Sequence, residues 1–142
     1  MRRLLACAAL LVASTATAQS RTVVSTTGNS AQLSGAIRVG DMLYLSGQLP
    51  GSRETPMDST IQGQTKQALD KIKTIVEAAG TKMENVVKCT VFLANGADFQ
   101  GMNQAYREFW PKDPPARSTV VVAALVSPGA KLEIECLATY VK

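Results

Sequence analysis

The sequence predicts an α+β sandwich in which two helices cover one face of a mixed β-sheet. Three observations predict it. The segment from about Thr60 to Ala79 carries one apolar stripe at spacings of three and four. Short runs rich in β-branched and aromatic residues flank and separate it from a second helical segment, in the order ββ(β)αβαββ. The last run, Lys131–Val141, is apolar on both of its faces, although two helices can cover only one.

Taken in order, residues 19–34 are polar, and only Thr22–Ser25 reads as a short strand. Ala36–Val39 and Met42–Ser46 flank Gly40–Asp41 and read as a hairpin with a tight turn. Gly47–Gln48–Leu49–Pro50–Gly51 is a breaker-rich loop. Met57–Asp58–Ser59–Thr60 offers N-cap residues for the first helix. Its stripe is Ile61, Ala68, Leu69, Ile72, Ile75, Val76 and Ala79. Gln64, Lys66, Gln67, Lys71 and Lys73 fall largely outside it, and Gly80 is placed to cap the C-terminus. Val86–Ala94 reads as a strand that Asn95–Gly96 breaks. Asp98–Trp110 reads as the second helix, with Phe99, Met102, Tyr106, Phe109 and Trp110 on one face, and prolines 111, 114 and 115 stop it. Ala116–Leu125 is a strand, Ser127–Pro128–Gly129 a turn, and Lys131–Val141 the last strand. On it Leu132, Ile134, Cys136 and Ala138 point one way, and Glu133, Glu135, Leu137, Thr139 and Val141 the other. The surplus apolar face suggests burial against another subunit.

A chain of 142 residues is one domain by default. Residues 1–18 read as a cleaved signal peptide: Met1–Arg2–Arg3 is a positive start, the stretch to Ser14 is apolar but too short to span, and Ala16 and Ala18 fit a cleavage site. The expected mature domain is 19–142, exported, in the periplasm, with no stable membrane anchor after cleavage. Net charge falls from +4 to +2 once Arg2 and Arg3 are gone. That balance does not argue for nucleic acid. The mature chain keeps Cys89 and Cys136. Export would allow them to join, but both lie inside predicted strands, where geometry rarely suits a bridge, so none is expected. The sequence contains no histidine, which removes the usual zinc patterns and any histidine base.

Arg117 opens an otherwise apolar strand. Its guanidinium is either the fork for a carboxylate or half of a strand-end ion pair. Glu133 could orient a water or move a proton, or could be a solvated strand residue. Ser46 and Gly47 could present a hydroxyl and a backbone N–H, although a hairpin exit explains them equally. Asn103 reads as a polar helix residue, and Tyr106 and Trp110 read as core. Arg117 and Glu133 begin successive strands at opposite ends, so the sequence does not place them together in one subunit; a subunit boundary could.

Six ordered stretches carry a family resemblance: Leu45–Pro50 (LSGQLP), Ile75–Gly80 (IVEAAG), Val87–Phe92 (VKCTVF), Met102–Tyr106 (MNQAY), Pro115–Ser118 (PARS) and Lys131–Glu135 (KLEIE). Over residues 30–141 the chain resembles the RidA (YjgF/YER057c/UK114) family of imine deaminases. The resemblance implies a chorismate-mutase-like single domain and a homotrimer with ligand clefts between subunits. It implies hydrolysis of reactive 2-imino or 2-enamino acids, such as 2-aminoacrylate, to 2-keto acids and ammonia, with no metal or cofactor. It places Arg117 on the substrate carboxylate and Glu133 beside the hydrolytic water, with Ser46, Gly47 and Asn103 lining the cleft. The family's GPYSQA segment aligns with Ala31–Ala36, so Leu33 stands where the family has tyrosine. Thr119 stands where a cysteine is frequent; it shares a strand face with Arg117. The loss of the tyrosine and the export signal leave a second reading open, a trimeric small-carboxylate-binding or chaperone-like protein. Ribonuclease activity, attributed to some members, has little support in the near-neutral mature charge and sparse aromatics.

Overall fold

The computed structural model describes residues 19–24 and 33–140. The signal segment 1–18, Ala31 and Gln32 of the aligned cleft segment, and Val141 lie outside them. Six strands form one sheet: β1 (Arg21–Val24), β2 (Ala36–Val39), β3 (Met42–Leu45), β4 (Val86–Leu93), β5 (Ala116–Val121) and β6 (Leu132–Thr139). Their order across the sheet is β1-β2-β3-β6-β4-β5. Only β4 and β5 run parallel; the other neighbours are antiparallel. The helices α1 (Ile61–Ala78) and α2 (Phe99–Phe109) are the crossovers from β3 to β4 and from β4 to β5. Both pack on one face, as two successive β-α-β connections of one hand require.

The hairpin prediction holds, with Val39 opposite Met42 across Gly40–Asp41. The last two strands differ from the simplest reading of a short turn: β5 and β6 do not pair. The last strand enters the centre of the sheet, between β3 and β4. Its composition explains the choice, because Leu132, Ile134, Cys136 and Ala138 are all buried, and a central position satisfies the ladder on both sides. The strand predicted to run to Leu125 ends at Val121, where Val122 N–H donates its last bond to Leu93 O at 2.9 Å.

Helix α1 begins where Thr60 accepts from Gly63 N–H at 3.0 Å, while Asp58 accepts from the Thr60 N–H and hydroxyl. It ends at Gly80, whose φ of +82° is open to glycine. There the N–H groups of Gly80 and Thr81 donate back to Glu77 and Val76 carbonyls. The predicted stripe is the buried face, except that Ala79 is only partly buried. Gln64 is buried as well, against expectation. Its amide donates to Asp58 O at 2.8 Å and Gly129 O at 3.1 Å and accepts from Lys131 N–H at 2.7 Å. A buried amide with those bonds is a stitch between helix and loops. Lys71 is likewise turned inward, donating to Leu49 O and Gly51 O, and burial lowers its pKa.

Leu43, Leu69, Ile72, Leu93, Met102, Leu132 and Ile134 fill the layer between helices and sheet. Burial of each contributes about 1.5–3 kcal/mol. Trp110 closes one end and donates to Met83 O at 2.9 Å.

Cys89 and Cys136 correct the sequence expectation. They face each other across β4 and β6, 4.1 Å apart at Cα, and are joined in a disulfide. Residence in strands argued against a bridge only while the strands' register was unknown; directly opposed positions bring the sulfurs together. The bridge spans 47 residues of sequence, a closure that contributes about 2–4 kcal/mol. Replacing both cysteines by alanine is expected to lower Tm by about 10 °C. Equal melting of the variant and of protein whose disulfide is verified by mass would rule out that contribution.

Candidate functional site

The structure divides the predicted site residues into two groups on opposite faces of the sheet. In β5, Arg117 is in register with buried Cys89 of β4, and Thr119 with buried Val91. Both therefore face the helices. In β6, Glu133 alternates with buried Leu132 and Ile134 and is in register with Phe92. It faces away from the helices.

The Arg117 group is assembled by α2. Arg117 Nη2 donates to Asn103 Oδ1 at 2.6 Å, and Nη1 lies 3.7 Å from Met102 Sδ. The guanidinium carbon is 4.6 Å from the centre of the Tyr106 ring and 6.0 Å from that of Phe99. Residues 99, 102, 103 and 106 share one side of a helix by their spacing. Among the described residues the ion pairs are Lys66–Glu108 and Lys73–Glu77, so Arg117 is held by an amide, a thioether and rings and has no carboxylate. The strand-end ion pair is thus not formed among the described residues. The Tyr106 hydroxyl and the Thr119 hydroxyl are buried with no hydrogen-bond partner. Burial pushes the Tyr106 pKa up to about 12, with the Arg117 charge opposing part of the rise. Next to Arg117 there is thus a neutral phenol.

The Glu133 group is assembled by the loop after β3. Gln48 N–H donates to Ile134 O at 2.7 Å, and Ile134 N–H to Gln48 O at 3.1 Å. This isolated bridge lays Ser46 and Gly47 beside β6. A Cβ on Gly47 would overlap the Glu133 carboxylate, so any other residue would make that side chain move. Ser46 Oγ donates to Ser34 O at 2.7 Å, leaving the hydroxyl oxygen as an acceptor. Leu33, more than half exposed, lines a cavity of about 720 Å³ with Ser46, Gly47, Gln48 and Lys71. Glu133 does not line it. A second, charged groove of about 540 Å³ between the helices contains none of the predicted residues. Neither of these two cavities is lined by Arg117 or by Glu133.

Sequence reading missed Phe99, Met102 and Tyr106 as neighbours of Arg117. It had placed all three on one apolar helix face, and the signal was there: Asn103 lies beside that face, one residue from Met102 and three from Tyr106.

The uncovered face of the sheet carries Ile37, Tyr44 and Leu137 in one row, through the pairs Ile37–Tyr44 and Tyr44–Leu137. Phe92 and Val120 form another with Glu133. Tyr44 and Val120 are exposed. The surplus apolar face predicted from β6 is present.

Comparison with known proteins places these features in a family. Residues 15–140 match the family model described as Endoribonuclease L-PSP. The chain is 42% identical over 106 residues to Reactive Intermediate Deaminase A, chloroplastic, of Arabidopsis thaliana, covering 73% of this chain and 56% of that protein. It thus spans just over half the length of the plant relative. It is 41% identical over 104 residues to the 2-iminobutanoate/2-iminopropanoate deaminase of Dermatophagoides farinae, covering 72% of this chain and 80% of that one. Its fold is similar to E. coli TdcF with bound serine, with TM-score 0.78, 31% identity and coverage of 84% and 99%. The six-stranded sheet with two helices on one face, the ordered sequence stretches and these matches agree: the chain belongs to the RidA (YjgF/YER057c/UK114) family.

Proposed function

We propose that the chain hydrolyses small reactive 2-imino acids, and the enamines that tautomerise to them, to 2-keto acids and ammonia. The observation that carries this reading is Arg117, a half-buried guanidinium on β5, held by Asn103 of α2 and with no carboxylate of its own among the described residues. A planar fork of that kind matches a substrate carboxylate in two parallel bonds. The deaminase names of the plant and mite relatives support the same chemistry.

The reaction asks little of the protein. Arg117 fixes the carboxylate and so the position of C2. Water, oriented by Glu133, adds its oxygen to C2 while a proton passes to the imine nitrogen. The hydroxyl proton of the carbinolamine then passes to the nitrogen, the keto C=O forms as the C–N bond breaks, and ammonia leaves with the electron pair of that bond. An enamine such as 2-aminoacrylate first takes a proton at C3 and gives one up from nitrogen to become the imine. Every atom comes from substrate and water.

Arg117 and Glu133 occupy opposite sheet faces, so a site using both is built from two subunits. We read the active form as a homotrimer that covers the Ile37–Tyr44–Leu137 face. Tyr44→Glu tests this. The side chain is exposed in one subunit, so its replacement costs the monomer about 0.5 kcal/mol or less. A carboxylate buried at an interface costs several kcal/mol. The variant is expected to size as a folded monomer without activity. A trimer of undiminished activity would remove this face from the assembly.

Export to the periplasm belongs to the same reading. It rests on the signal-like residues 1–18 and is supported by the Cys89–Cys136 bridge, which an oxidising compartment would form and keep.

The primary experiment generates 2-iminobutanoate or 2-iminopropanoate with an amino-acid oxidase and follows 2-keto acid release against trapping by semicarbazide. Acceleration by purified 19–142 protein supports the deaminase. An assembled trimer that accelerates none of several imines would favour the other reading, a small-carboxylate binder; Leu33 in place of a hydroxyl-bearing residue is the feature on that side. A net charge of +2 on 19–142 gives the RNA-cleaving reading little support.

A further inference from the structure

We propose that Tyr106 is a positioning residue for the carboxylate fork: its ring sets the plane of the Arg117 guanidinium. The inference rests on the reading of Arg117 as that fork. Tyr106 looks like core by pattern, and its 4% exposure agrees with core. Its surroundings say more. The guanidinium carbon lies 4.6 Å from the ring centre, within cation–π range. Asn103, three residues earlier on α2, takes one guanidinium N–H, and Met102, four residues earlier, lies against another nitrogen. Three side chains of one helix face thus grip one cation.

The choice of residue follows from charge. A carboxylate at position 106 would orient Arg117 equally well but would pair with it and compete with substrate. A phenol in water is already neutral at pH 7, and burial at this site raises its pKa to about 12. The ring therefore supports the cation and leaves its charge to a ligand. The hydroxyl is not what holds Arg117, because it is buried without a partner. The platform role belongs to the ring, so ring and hydroxyl can be separated by substitution.

The test compares Tyr106→Phe, which keeps the ring, with Tyr106→Leu, which keeps apolar volume only. Two readouts are taken on the assembled protein: the dissociation constant for pyruvate by calorimetry, and kcat and KM for imine hydrolysis. Tyr106→Leu is expected to weaken pyruvate and raise KM by about fivefold, with kcat nearly unchanged, as for loss of uniform binding. Tyr106→Phe is expected to stay within about twofold of the parent in both. Tyr106→Met, whose flexible chain adapts to core gaps, replaces the leucine variant if that fails to fold. Leucine or methionine variants that bind pyruvate like the parent would overturn the platform. A phenylalanine variant as weak as leucine would overturn it too and assign the effect to the hydroxyl. Parent protein that binds no pyruvate would remove the carboxylate fork and the platform together. Parent protein that binds pyruvate without turnover would leave the platform intact and remove only the deaminase.

Discussion

Arg117→Ala is expected to lower kcat/KM for 2-iminobutanoate by about a hundredfold or more and to leave the fold unchanged. Two charge-assisted bonds to a carboxylate contribute about 1.5–3 kcal/mol each, and 1.4 kcal/mol is a factor of ten. The expected loss therefore spans about two to four decades. Stability is a separate matter. Arg117 has no carboxylate partner among the described residues, so removing it orphans no opposite charge. Asn103 Oδ1 loses a donor but is only half buried, within reach of water. Melting should fall modestly, by about 1–2 kcal/mol for the lost bond to Asn103 and the lost ring contact. Arg117→Lys keeps the charge and loses the planar fork, so it should fall between parent and alanine. The rate is read as keto-acid release and the fold as the melting curve. Full activity in Arg117→Ala would take the carboxylate away from this residue.

The helices were legible in the sequence because amphipathic spacing, caps and terminating prolines all pointed to the same boundaries, within a residue or two. The β2–β3 hairpin was legible because its turn is two residues long and leaves one register. The place of β6 was not. Its both-sided apolar pattern announced burial, but pairing with β3 and β4 is a choice among partners distant in sequence, which local pattern cannot rank. The bridge between Cys89 and Cys136 was hidden for the same reason, since it follows from the β4–β6 register. In the site, residue types carried the chemistry: a lone arginine on an apolar strand and a glutamate at the start of another. What the types could not supply was sidedness. Strand alternation puts Arg117 on the face of Cys89 and Glu133 on the face of Phe92, and this becomes meaningful only once β4 is known to lie between their strands. Tyr106 is core, as its spacing indicated; its place beside the Arg117 cation left no mark in the pattern, because a ring buried against the core and a ring buried against a cation have the same hydrophobic signature.

Mixing two inactive variants is expected to restore activity. Glu133→Gln keeps the shape that fits against Gly47 and removes the carboxylate, and Arg117→Ala removes the fork. If each site takes Arg117 from one subunit and Glu133 from its neighbour, a boundary is intact when the first subunit is a Glu133→Gln chain and the second an Arg117→Ala chain. In trimers re-formed at random from equal amounts, that holds at about one boundary in four. About a quarter of the parent rate should return, from two proteins that each have almost none. The recovery should follow the product of the two fractions, greatest at equal amounts. Mass measurement of the mixed assemblies verifies that exchange took place. Mixed trimers without recovery would mean that Arg117 and Glu133 act within one subunit, which their opposite faces oppose, or that Glu133 does not serve the water. A Glu133→Gln protein of full activity on its own would give the second answer directly. The quarter is a consequence of sidedness alone: it needs no knowledge of the natural imine, only that one face of the sheet supplies the anchor and the other supplies the carboxylate.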